Sequence, residues 1–489
     1  MNDLLRSSTQ PATEIVVVGA GYVGLTAAAC LAELGHTVRC LEADERRLAL
    51  LQAGVIPIVE PGLEELVARG RAGGRLTFGD DVGEALGRAR FVFLCVGTPP
   101  RSDGTPDLSQ LADAARQIAR AAQSELVLVV KSTVPPGTCE ALEILCAADA
   151  APDVRIQTVS NPEFLREGRA VEDFFNPDRV VVGAESPAVA REVADLYRAD
   201  APVVLCDRRG SEVVKYAANA CLALKISFAN EIAGLCERLG TDALPVLRAV
   251  GLDPRIGPAF LGPGIGFGGS CLPKDLSGLI SVASAAGCDT PLAHAARTVN
   301  ARAHQALVDK LELILGGLAG ARVAVLGLAF KPGTDDVRDS PAVALVRALA
   351  ARGALVRAHD PLARLADLPA EQVDDPDAAA RDAEALVVAT AWPQFAGLDP
   401  ARIRPLVGRP IVLDAVNALD PARWRAAGFS VYGVGRGIPT GFHPVIWQPI
   451  LWARDGASAS SDEADARDIS GMMAEPSSVR NGVVKAHGP

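Results

Sequence analysis

The sequence predicts an α/β protein in which two doubly wound parallel sheets are joined by a long central helix and a helical middle region. Three features of the 489-residue chain support this prediction. Short apolar runs alternate with helical patterns over residues 15–206, which is typical of parallel strands connected by crossover helices. Residues 207–240 contain few helix breakers, and a second alternation of the same kind begins at Arg322.

The first alternating segment contains apolar runs with the length of a strand. Runs such as FVFLCV at 91–96 are almost continuously apolar, as expected for strands that are buried on both faces of a sheet. The predicted strands are 15–18, 37–42, 91–96, 126–131, 156–160, 180–183 and 203–205. We therefore expect residues 1–206 to form the first domain.

Residues 207–240 are predicted to form one helix, followed by a shorter helical segment to about Val250 and then by a glycine-rich loop. We assign 207–315 to a helical middle domain and 316–453 to a second α/β domain. The second domain is predicted to contain strands 323–326, 355–359, 385–390 and 411–414 and a helix at 341–352. Residues 454–489 are rich in Ser, Ala, Asp, Glu and Gly without hydrophobic periodicity, so we expect a disordered tail.

Composition excludes several classes of protein. The net charge of −11 argues against binding to nucleic acid, because phosphate contacts need a basic face. We expect no membrane insertion, because no apolar run reaches 18 residues, and residues 1–14 lack the apolar segment of a signal peptide. The 10 cysteines contain no CxxC pair, so no metal site is predicted, and their pattern favours a cytoplasmic protein.

A glycine-rich motif follows the first predicted strand and opens a helix, as in Rossmann-type dinucleotide-binding domains. The glycines permit a tight turn and bring a pyrophosphate close to the helix N-terminus. The motif consists of Gly19, Gly21, Tyr22, Val23 and Gly24 with Ala20. Glu42 ends the next strand, near the expected ribose-binding acid, and favours NAD over NADP, although Arg46 and Arg47 lie nearby and weaken this preference.

The segment GFGGSCLPKD at 266–275 places Cys271 in a glycine-dense loop. We expect this cysteine to be accessible enough to react, and a neighbouring cation would favour its thiolate. If the chain becomes helical at Cys271, Asp275 lies one turn later on the same face. The pair then resembles a nucleophile with a base beside it, whereas the alternative is a glycine-rich turn around an inert buried cysteine.

Three polar groups lie on or after the predicted central elements. Lys215 and Asn219 share one face of the long helix and are suited to stabilising an oxyanion, although a lysine on a long helix is more often solvated. Glu163 follows a strand and a proline turn, which suits a base. A carboxylate that merely opens a helix is an equally good explanation.

Two further loops follow predicted strands. The hydroxyls of KSTVPPGT at 131–138 are placed to line a nucleotide crevice, and a turn with a helix cap is equally compatible. FKP at 330–332 and DDVR at 335–338 predict a second nucleotide-sized crevice with cations for phosphate, or else a polar loop with local ion pairs.

Taken together, these motifs resemble the nucleotide-sugar 6-dehydrogenases of the UDP-glucose/GDP-mannose dehydrogenase family over residues 14–437. The strings that carry the resemblance are GAGYVG at 19, CVGTP at 95, KSTVPPGT at 131, NPEFLREG at 161, EVVKYAANACLALKISFANEI at 212, GFGGSCLPKD at 266 and FKPGTDDVRDSP at 330. The resemblance implies that an alcohol is oxidised twice by two NAD⁺ without release of the aldehyde.

The resemblance also implies residue roles. Cys271 would trap the aldehyde as a thiohemiacetal, whose oxidation gives a thioester. Asp275 would act with a water as general base. Lys215, aided by Asn219, would stabilise the alkoxide and the later oxyanions, and Glu163 would assist thioester hydrolysis.

The remaining positions follow from the same resemblance, with Thr133 ordering water near the reacting carbon. The implied NAD contacts, besides the glycine motif, are Val23, Glu42, Arg47, Thr98, Thr133, Glu167, Lys274 and Arg338. The implied sugar-nucleotide contacts are Glu163, Phe164, Leu165, Arg166, Glu167, Lys215, Asn219, Phe260, Leu261, Gly262, Pro263, Gly264, Gly268 and Lys331. Arg255 resembles an arginine that reaches the substrate of a neighbouring subunit, which implies a homodimer or higher homo-oligomer built around the long helix.

The resemblance is strongest to the branch that converts UDP-glucose to UDP-glucuronate for polysaccharide, through the run 161–183 and DPRIG at 253–257. The GDP-mannose branch shares NPEFLRE and GGSCLPKD and remains an alternative. Ser270 argues against the UDP-N-acetyl-hexosamine branch, which usually has histidine there. A non-catalytic nucleotide-sugar sensor is a remote alternative from a different functional class.

Overall fold

The structure, a computed structural model, describes residues 12–198 and 200–436. The predicted disordered tail at 454–489 and the end of the third predicted domain lie outside the described residues.

The first α/β unit is built on an eight-stranded sheet. Its strands are β1 (Glu14–Val18), β2 (Thr37–Leu41), β3 (Leu76–Gly79), β4 (Phe91–Leu94), β5 (Leu126–Val130), β6 (Ile156–Ser160), β7 (Val180–Gly183) and β8 (Val203–Cys206). Their order across the sheet is β3-β2-β1-β4-β5-β6-β7-β8. The paired strands are parallel except β6 and β7, which meet in antiparallel fashion at Ser160 and Gly183. The predicted parallel sheet is therefore interrupted once.

Helices cover both faces of this sheet. They are α1 (Tyr22–Glu33), α2 (Glu45–Ala53), α3 (Leu63–Ala72), α4 (Val82–Leu86), α5 (Ser109–Ala121), α6 (Thr138–Asp149), α7 (Ala170–Phe175) and α8 (Pro187–Asp195). Ile15 and Val17 of β1 enter one apolar core, whereas Val16 enters the core on the opposite face. This two-sided burial explains why the strand sequences are apolar at consecutive positions.

The middle region is helical and is organised around one long helix. It contains α9 (Arg208–Leu239), α10 (Ala243–Gly251), α11 (Leu272–Ala285) and α12 (Pro291–Leu315). The Asp207 carboxylate caps α9 by accepting from the Gly210 amide at 2.7 Å, and Gly240 ends it with a φ of +73°. Within the described residues, no helix combines the length and apolar character that a membrane span requires.

The second α/β unit contains a six-stranded sheet. Its strands are β9 (Arg322–Leu326), β10 (Leu355–His359), β11 (Glu371–Gln372), β12 (Ala385–Val388), β13 (Ile411–Asp414) and β14 (Ser430–Gly433), and its helices are α13 (Pro341–Ala351), α14 (Pro376–Ala380), α15 (Pro393–Ala396), α16 (Pro400–Ile403) and α17 (Pro421–Ala426). The order is β11-β10-β9-β12-β13-β14. All pairs in this sheet are parallel. The fold class predicted from the sequence is thus confirmed.

Both sheets reverse the direction of strand addition at an interior point, between β1 and β4 and between β9 and β12. A ligand crevice forms at such a point, outside the carboxyl ends of the strands. The loops after β1, β5, β6 and β9, which carry the motifs predicted above, all start at carboxyl ends of these strands.

Candidate active site

The glycine motif forms a tight, open turn between β1 and α1. A Cβ atom at Gly24 would lie 1.8 Å from the carbonyl oxygen of Gly19, so this approach excludes any side chain. At Gly21, by contrast, no atom lies within 4 Å of the Cβ position, which leaves the start of α1 open to a ligand. The residues present therefore fit a dinucleotide pyrophosphate at the helix N-terminus.

The acid that follows β2 is held close to this turn. Glu42 is buried, and its Oε2 accepts a hydrogen bond from the amide of Ala20 at 3.1 Å. Oε1 accepts from the amide of Asp44 at 2.9 Å, and the guanidinium of Arg47 lies 3.3 Å from Oε2. Glu42, the predicted ribose-binding acid, is thus fixed beside the glycine motif. Arg47, a predicted NAD contact, pairs with its carboxylate.

The loops after β4 and β5 close the same crevice. Thr98 is buried and its hydroxyl donates to the carbonyl oxygen of Thr133 at 2.9 Å. Ser132 donates through its hydroxyl to the carbonyl oxygen of Val96 at 2.6 Å. These bonds bring the predicted Thr98 and Thr133 together.

Lys215 of α9 makes a buried ion pair with Glu163. Its Nζ donates to the Glu163 carbonyl oxygen at 2.8 Å and to Oε1 at 2.9 Å, and only 5% and 8% of the two side chains are exposed. Burial raises the pKa of Glu163, but the charge and hydrogen bond of Lys215 outweigh it and give a net lowering. Burial lowers the pKa of Lys215, but the carboxylates of Glu163 and Asp275 outweigh it and give a net rise. Both groups are therefore charged near neutral pH.

Asn219 lies one turn after Lys215 and contacts the second predicted acid. Its Nδ2 donates to Oδ2 of Asp275 at 2.6 Å, and Asp275 is 1% exposed. The ammonium of Lys274 donates to the other carboxylate oxygen of Asp275. Each oxygen of this carboxylate thus accepts one hydrogen bond from a neighbouring side chain.

Cys271 is the residue before the first turn of α11, and the amide of Asp275 donates to its carbonyl oxygen at 2.8 Å. The structure therefore has the one-turn spacing that the sequence predicts. Burial raises the pKa of the Cys271 thiol, Glu163 raises it further, and Lys215 and the Ser270 hydroxyl lower it without reversing the rise. The cation Lys215 favours the thiolate, as expected from the sequence, but burial outweighs its effect and the pKa of the thiol is raised.

The cysteine loop is pressed against the second α/β unit. A Cβ atom at Gly268 would lie 2.2 Å from the carbonyl oxygen of Asp339, so the two backbones pack with no space for a side chain. The amide of Gly269 donates to the carbonyl oxygen of Arg338 at 3.0 Å. The second unit thereby fixes the position of Cys271.

Glu167 connects the segment after β6 with this second unit. Its side chain accepts from the Ser270 hydroxyl at 3.1 Å, and its carbonyl oxygen accepts from Nζ of Lys331 at 2.5 Å. The guanidinium of Arg338 lies 3.7 Å from its carboxylate and 2.7 Å from that of Asp336. Burial and the Asp336 charge raise the pKa of Glu167. Lys331 and Arg338, the cations predicted for the second crevice, therefore contact Glu167 of the first unit.

Phe164 and Arg166 lie beside Glu163 in the sequence and make contacts of their own. The ring of Phe164 lies between the guanidinium of Arg179, 3.8 Å from its centroid, and Nζ of Lys215, 5.4 Å from it. Arg166 pairs with the buried Asp173. Leu165, through its amide, donates to Oε2 of Glu163 at 2.6 Å.

The predicted substrate loop at 260–264 bridges the middle region and the second unit. Phe260 has a φ of +65°, which is rare for a residue with a side chain. The amide of Gly264 donates to Oδ1 of Asn230 at 2.8 Å, and Nδ2 of Asn417 donates to the carbonyl oxygen of Pro263 at 3.2 Å. Leu261 is buried between these anchors, beside Gly262.

Arg255 is the predicted site residue that the structure leaves apart from the others. Its side chain is 87% exposed, and its guanidinium bonds the carboxylate of Asp253 two residues earlier. Within the described chain this arginine projects outward.

Sequence reasoning missed two carboxylates that hold the site loops. Glu60 accepts from the amides of Gly168 and Ala170 at 2.7 and 2.8 Å, while the hydroxyl of Tyr22 also accepts from Gly168 at 2.6 Å. Glu212 of α9 accepts from the amides of Gly137 and Cys139 at 2.6 and 2.8 Å. Their partners are distant in sequence, so spacing carries no signal for them.

Comparison with known proteins agrees with this architecture. Residues 13–200, 209–302 and 324–421 match the NAD binding, central and UDP binding domains of the UDP-glucose/GDP-mannose dehydrogenase family. The chain is 45% identical over 436 residues to a UDP-glucose 6-dehydrogenase of Rhizobium meliloti (strain 1021), covering 86% of this chain and 99% of the relative. The chain belongs to the UDP-glucose/GDP-mannose dehydrogenase family. The resemblance predicted from the motifs is thus confirmed.

Other members of the family extend the comparison. A UDP-glucose 6-dehydrogenase of Pseudomonas aeruginosa is 44% identical over 86% of this chain and 97% of its own. A UDP-glucose dehydrogenase structure from Pyrobaculum islandicum has a TM-score of 0.81 at 43% identity, covering 87% of this chain and 98% of its own. The glycine motif lies within the NAD binding domain of the family, and NAD is the predicted and confirmed cofactor of the first unit.

Proposed function

We propose that the protein oxidises the C6 alcohol of UDP-glucose to the carboxylate of UDP-glucuronate, a precursor for polysaccharide. The carrying observation is the cluster of Cys271, Asn219, Asp275 and the Lys215–Glu163 ion pair, located between a dinucleotide crevice and a second crevice with two cations. The relatives named UDP-glucose 6-dehydrogenase support this substrate. The overall balance is one alcohol, two NAD⁺ and one water giving one carboxylate, two NADH and three protons.

In the first oxidation the chain must hold an alkoxide and remove a proton. Bound NAD⁺ supplies the hydride acceptor for both oxidations. Lys215 is protonated near neutral pH and, with the amide of Asn219, stabilises negative charge on the C6 oxygen. Asp275 receives the hydroxyl proton through a water.

Retention of the aldehyde requires the thiol. The Sγ atom of Cys271 bonds to the aldehyde carbon, and the thiol proton passes to the aldehyde oxygen, which gives a thiohemiacetal. Loss of a hydride from carbon and a proton from oxygen converts it to a thioester. Glu163 then takes a proton from water as the water oxygen attacks, the C–S bond breaks, and the sulfur regains a proton.

The two crevices divide the binding tasks. We assign NAD to the crevice of the first unit, which Arg338 reaches from the second unit beside Glu167, and the UDP moiety to the crevice of the second unit, which contains Lys331. We keep the domain boundaries at 1–206, 207–315 and 316–453. Within these domains the loop at 260–264 and Phe164 bind the sugar nucleotide.

We further propose a cytoplasmic homodimer or higher homo-oligomer. Leu235, Leu239 and Leu252 are 51%, 49% and 75% exposed along α9 and just after α10, which supports a covered surface there. Arg255 lies three residues after Leu252, and its exposed side chain is available to a partner subunit. Mass measurement in solution by light scattering tests this proposal, and a monomer at micromolar concentration contradicts it.

The deciding experiment measures NADH formed per sugar nucleotide consumed, with UDP-glucose and GDP-mannose assayed in parallel. Two NADH per UDP-glucose, with GDP-mannose inert, is the expected result. Two NADH per GDP-mannose would retain the chemistry and replace the substrate. One NADH per sugar would remove the thioester route.

A further inference from the structure

A second buried lysine lies next to the catalytic segment. Lys131 directly follows β5 and is 3% exposed. Its Nζ donates to the hydroxyl of Tyr197 at 2.7 Å and to Oδ1 of Asn161 at 3.3 Å, and it lies 5.0 Å from the Tyr197 ring centroid. Both acceptors are uncharged, so within the described chain this ammonium has no ion pair.

Such an arrangement is costly unless the charge is used. Burial of an ammonium without a carboxylate partner is unfavourable, and a neutral donor would suffice to link an amide oxygen to a phenol. We therefore expect the positive charge of Lys131 to have a role of its own. The groups around Lys131 indicate which residue this charge affects.

Asn161 is fixed from several directions. Its backbone amide donates to the carbonyl oxygen of Val130 at 2.9 Å and its Nδ2 to that of Val181 at 2.8 Å, while Oδ1 accepts from Lys131 and Tyr197. Pro162 follows and restricts φ, so the orientation of Asn161 is transmitted to Glu163. Lys131 is thus one of the groups that fix the direction in which the chain leaves β6 toward Glu163.

The charged and titratable groups that act on Glu163 come from four elements. They are Lys215 on α9, Lys131 after β5, Cys271 before α11 and Cys95 after β4. Lys215 also faces Asp275 and Cys271, and in the proposed reaction it faces the substrate oxyanion. Lys131 is hydrogen-bonded to Asn161 and Tyr197 and has no proposed contact with the substrate, so its charge toward Glu163 does not depend on the substrate oxyanion.

A cavity of about 50 Å³ lies beside this group and is lined by Lys131, Asn161, Glu163 and Tyr197 among others. This volume and its polar lining are sufficient for a water molecule. Lys131 and Glu163 therefore line the same pocket, which the charged residues Arg166, Asp173, Asp178 and Arg179 line as well.

We propose that Lys131 is a positioning residue for Glu163, which orients the 161–163 turn through Asn161 and supplies a substrate-independent positive charge toward the Glu163 carboxylate during thioester hydrolysis. The inference rests on the proposed function, because it assigns Glu163 the hydrolytic step. Burial raises the pKa of Glu163 and Lys131 is among the groups that lower it, in agreement with this role.

The test compares full-length wild type with Lys131→Met, Lys131→Gln, Lys131→Arg and Tyr197→Phe. Rapid mixing with UDP-glucose and NAD⁺ records NADH over the first turnover, and steady-state assays give kcat and KM across pH. For both neutral variants we expect a burst of two NADH per subunit, a kcat about ten-fold lower and little change in the KM for UDP-glucose. We also expect the acidic limb of the kcat–pH profile, where kcat falls as the pH decreases, to move to higher pH. Lys131→Arg should recover most of the turnover, and Tyr197→Phe should keep the wild-type limb.

Wild-type turnover and an unmoved acidic limb in Lys131→Met or Lys131→Gln would overturn the proposal. If neither neutral variant folds, Lys131→Arg is the deciding variant. An acidic limb of the kcat–pH profile like that of wild type supports the proposal, and a ten-fold loss of kcat with a burst of NADH overturns it. Failure of wild type to form two NADH per UDP-glucose would instead refute the proposed function, so the two failures are distinguishable.

Discussion

Nζ of Lys215 and Oε1 of Glu163 lie 2.9 Å apart in a site that is almost closed to solvent. The two residues are 52 positions apart in the chain, and the contact joins α9 to the segment after β6. Because each charge is the main compensation for the other, the effect of removing one differs from the effect of removing both.

We predict that Lys215→Met lowers the free energy of unfolding by about 3–5 kcal/mol, because Glu163 is left as an unpaired buried charge. The double variant Lys215→Met/Glu163→Gln should recover most of this loss and remain inactive. Urea unfolding and NADH assays measure both effects. Arg347→Met serves as the control, since its exposed pair with Asp367 is worth about 0–1 kcal/mol. Equal stability of the single and double variants would contradict the prediction.

Cys271→Ser should abolish acid formation and leave binding of NAD⁺ and UDP-glucose nearly unchanged. Serine keeps the size of the side chain, but its hydroxyl is a poorer nucleophile than the thiol. Calorimetric titration of both ligands and chromatography of the product measure the outcome. Full turnover to UDP-glucuronate in this variant would eliminate the thioester.

Alkylation of Cys271 by iodoacetamide should increase with pH, with a midpoint above the ordinary cysteine pKa of about 8.5. The thiolate reacts, and burial raises the pKa of this thiol, so its reactive form appears only at higher pH. Mass spectrometry of the labelled peptide gives the midpoint. Cys221 and Cys288 are exposed and serve as labelling controls, and a midpoint for Cys271 below about 8.5 would contradict the prediction.

The glycine motif offers a matched pair of substitutions. Gly24→Ala places a Cβ 1.8 Å from the Gly19 carbonyl oxygen and should cost about 1–3 kcal/mol of stability. Gly21→Ala meets no protein atom within 4 Å, so stability should change by less than about 0.5 kcal/mol. We expect Gly21→Ala nevertheless to weaken NAD⁺ binding by about ten-fold, or about 1.4 kcal/mol, because the methyl group enters the pyrophosphate path. Thermal unfolding and NAD⁺ titration separate the two effects, and unchanged NAD⁺ affinity in Gly21→Ala would exclude this path.

The sequence was sufficient to predict contacts between residues that are close together in the chain. Lys215 and Asn219 share a helix face, and Asp275 follows Cys271 by one turn, because helical spacing determines both relations. The strands were recognisable from their apolar runs, apart from short ones such as β3, β11 and β14, which contain too few apolar residues to form a signal. Predicted strand ends ran up to two residues long where the apolar run continues into a loop, as after Leu94.

The relations that sequence could not provide are those between distant segments. No spacing rule joins Lys215 to Glu163 or Glu212 to the amides at Gly137 and Cys139. The raised pKa of Cys271 could not be predicted either, since the sequence shows neighbouring charges but not the burial that outweighs them. Both effects come from tertiary packing, which brings groups together and removes water from them.

The backbone contact between Gly268 and Asp339 has a consequence for synthesis on the ribosome. A nascent chain can complete the first sheet and α9 while the second α/β unit is still untranslated. At that stage Phe267 of the cysteine loop can already bond to Asn300 of α12, but the contacts of Gly268 and Gly269 with Asp339 and Arg338 are still missing. The loop that carries Cys271 therefore gains its full set of backbone contacts only after the second α/β unit has been synthesised and has packed against it.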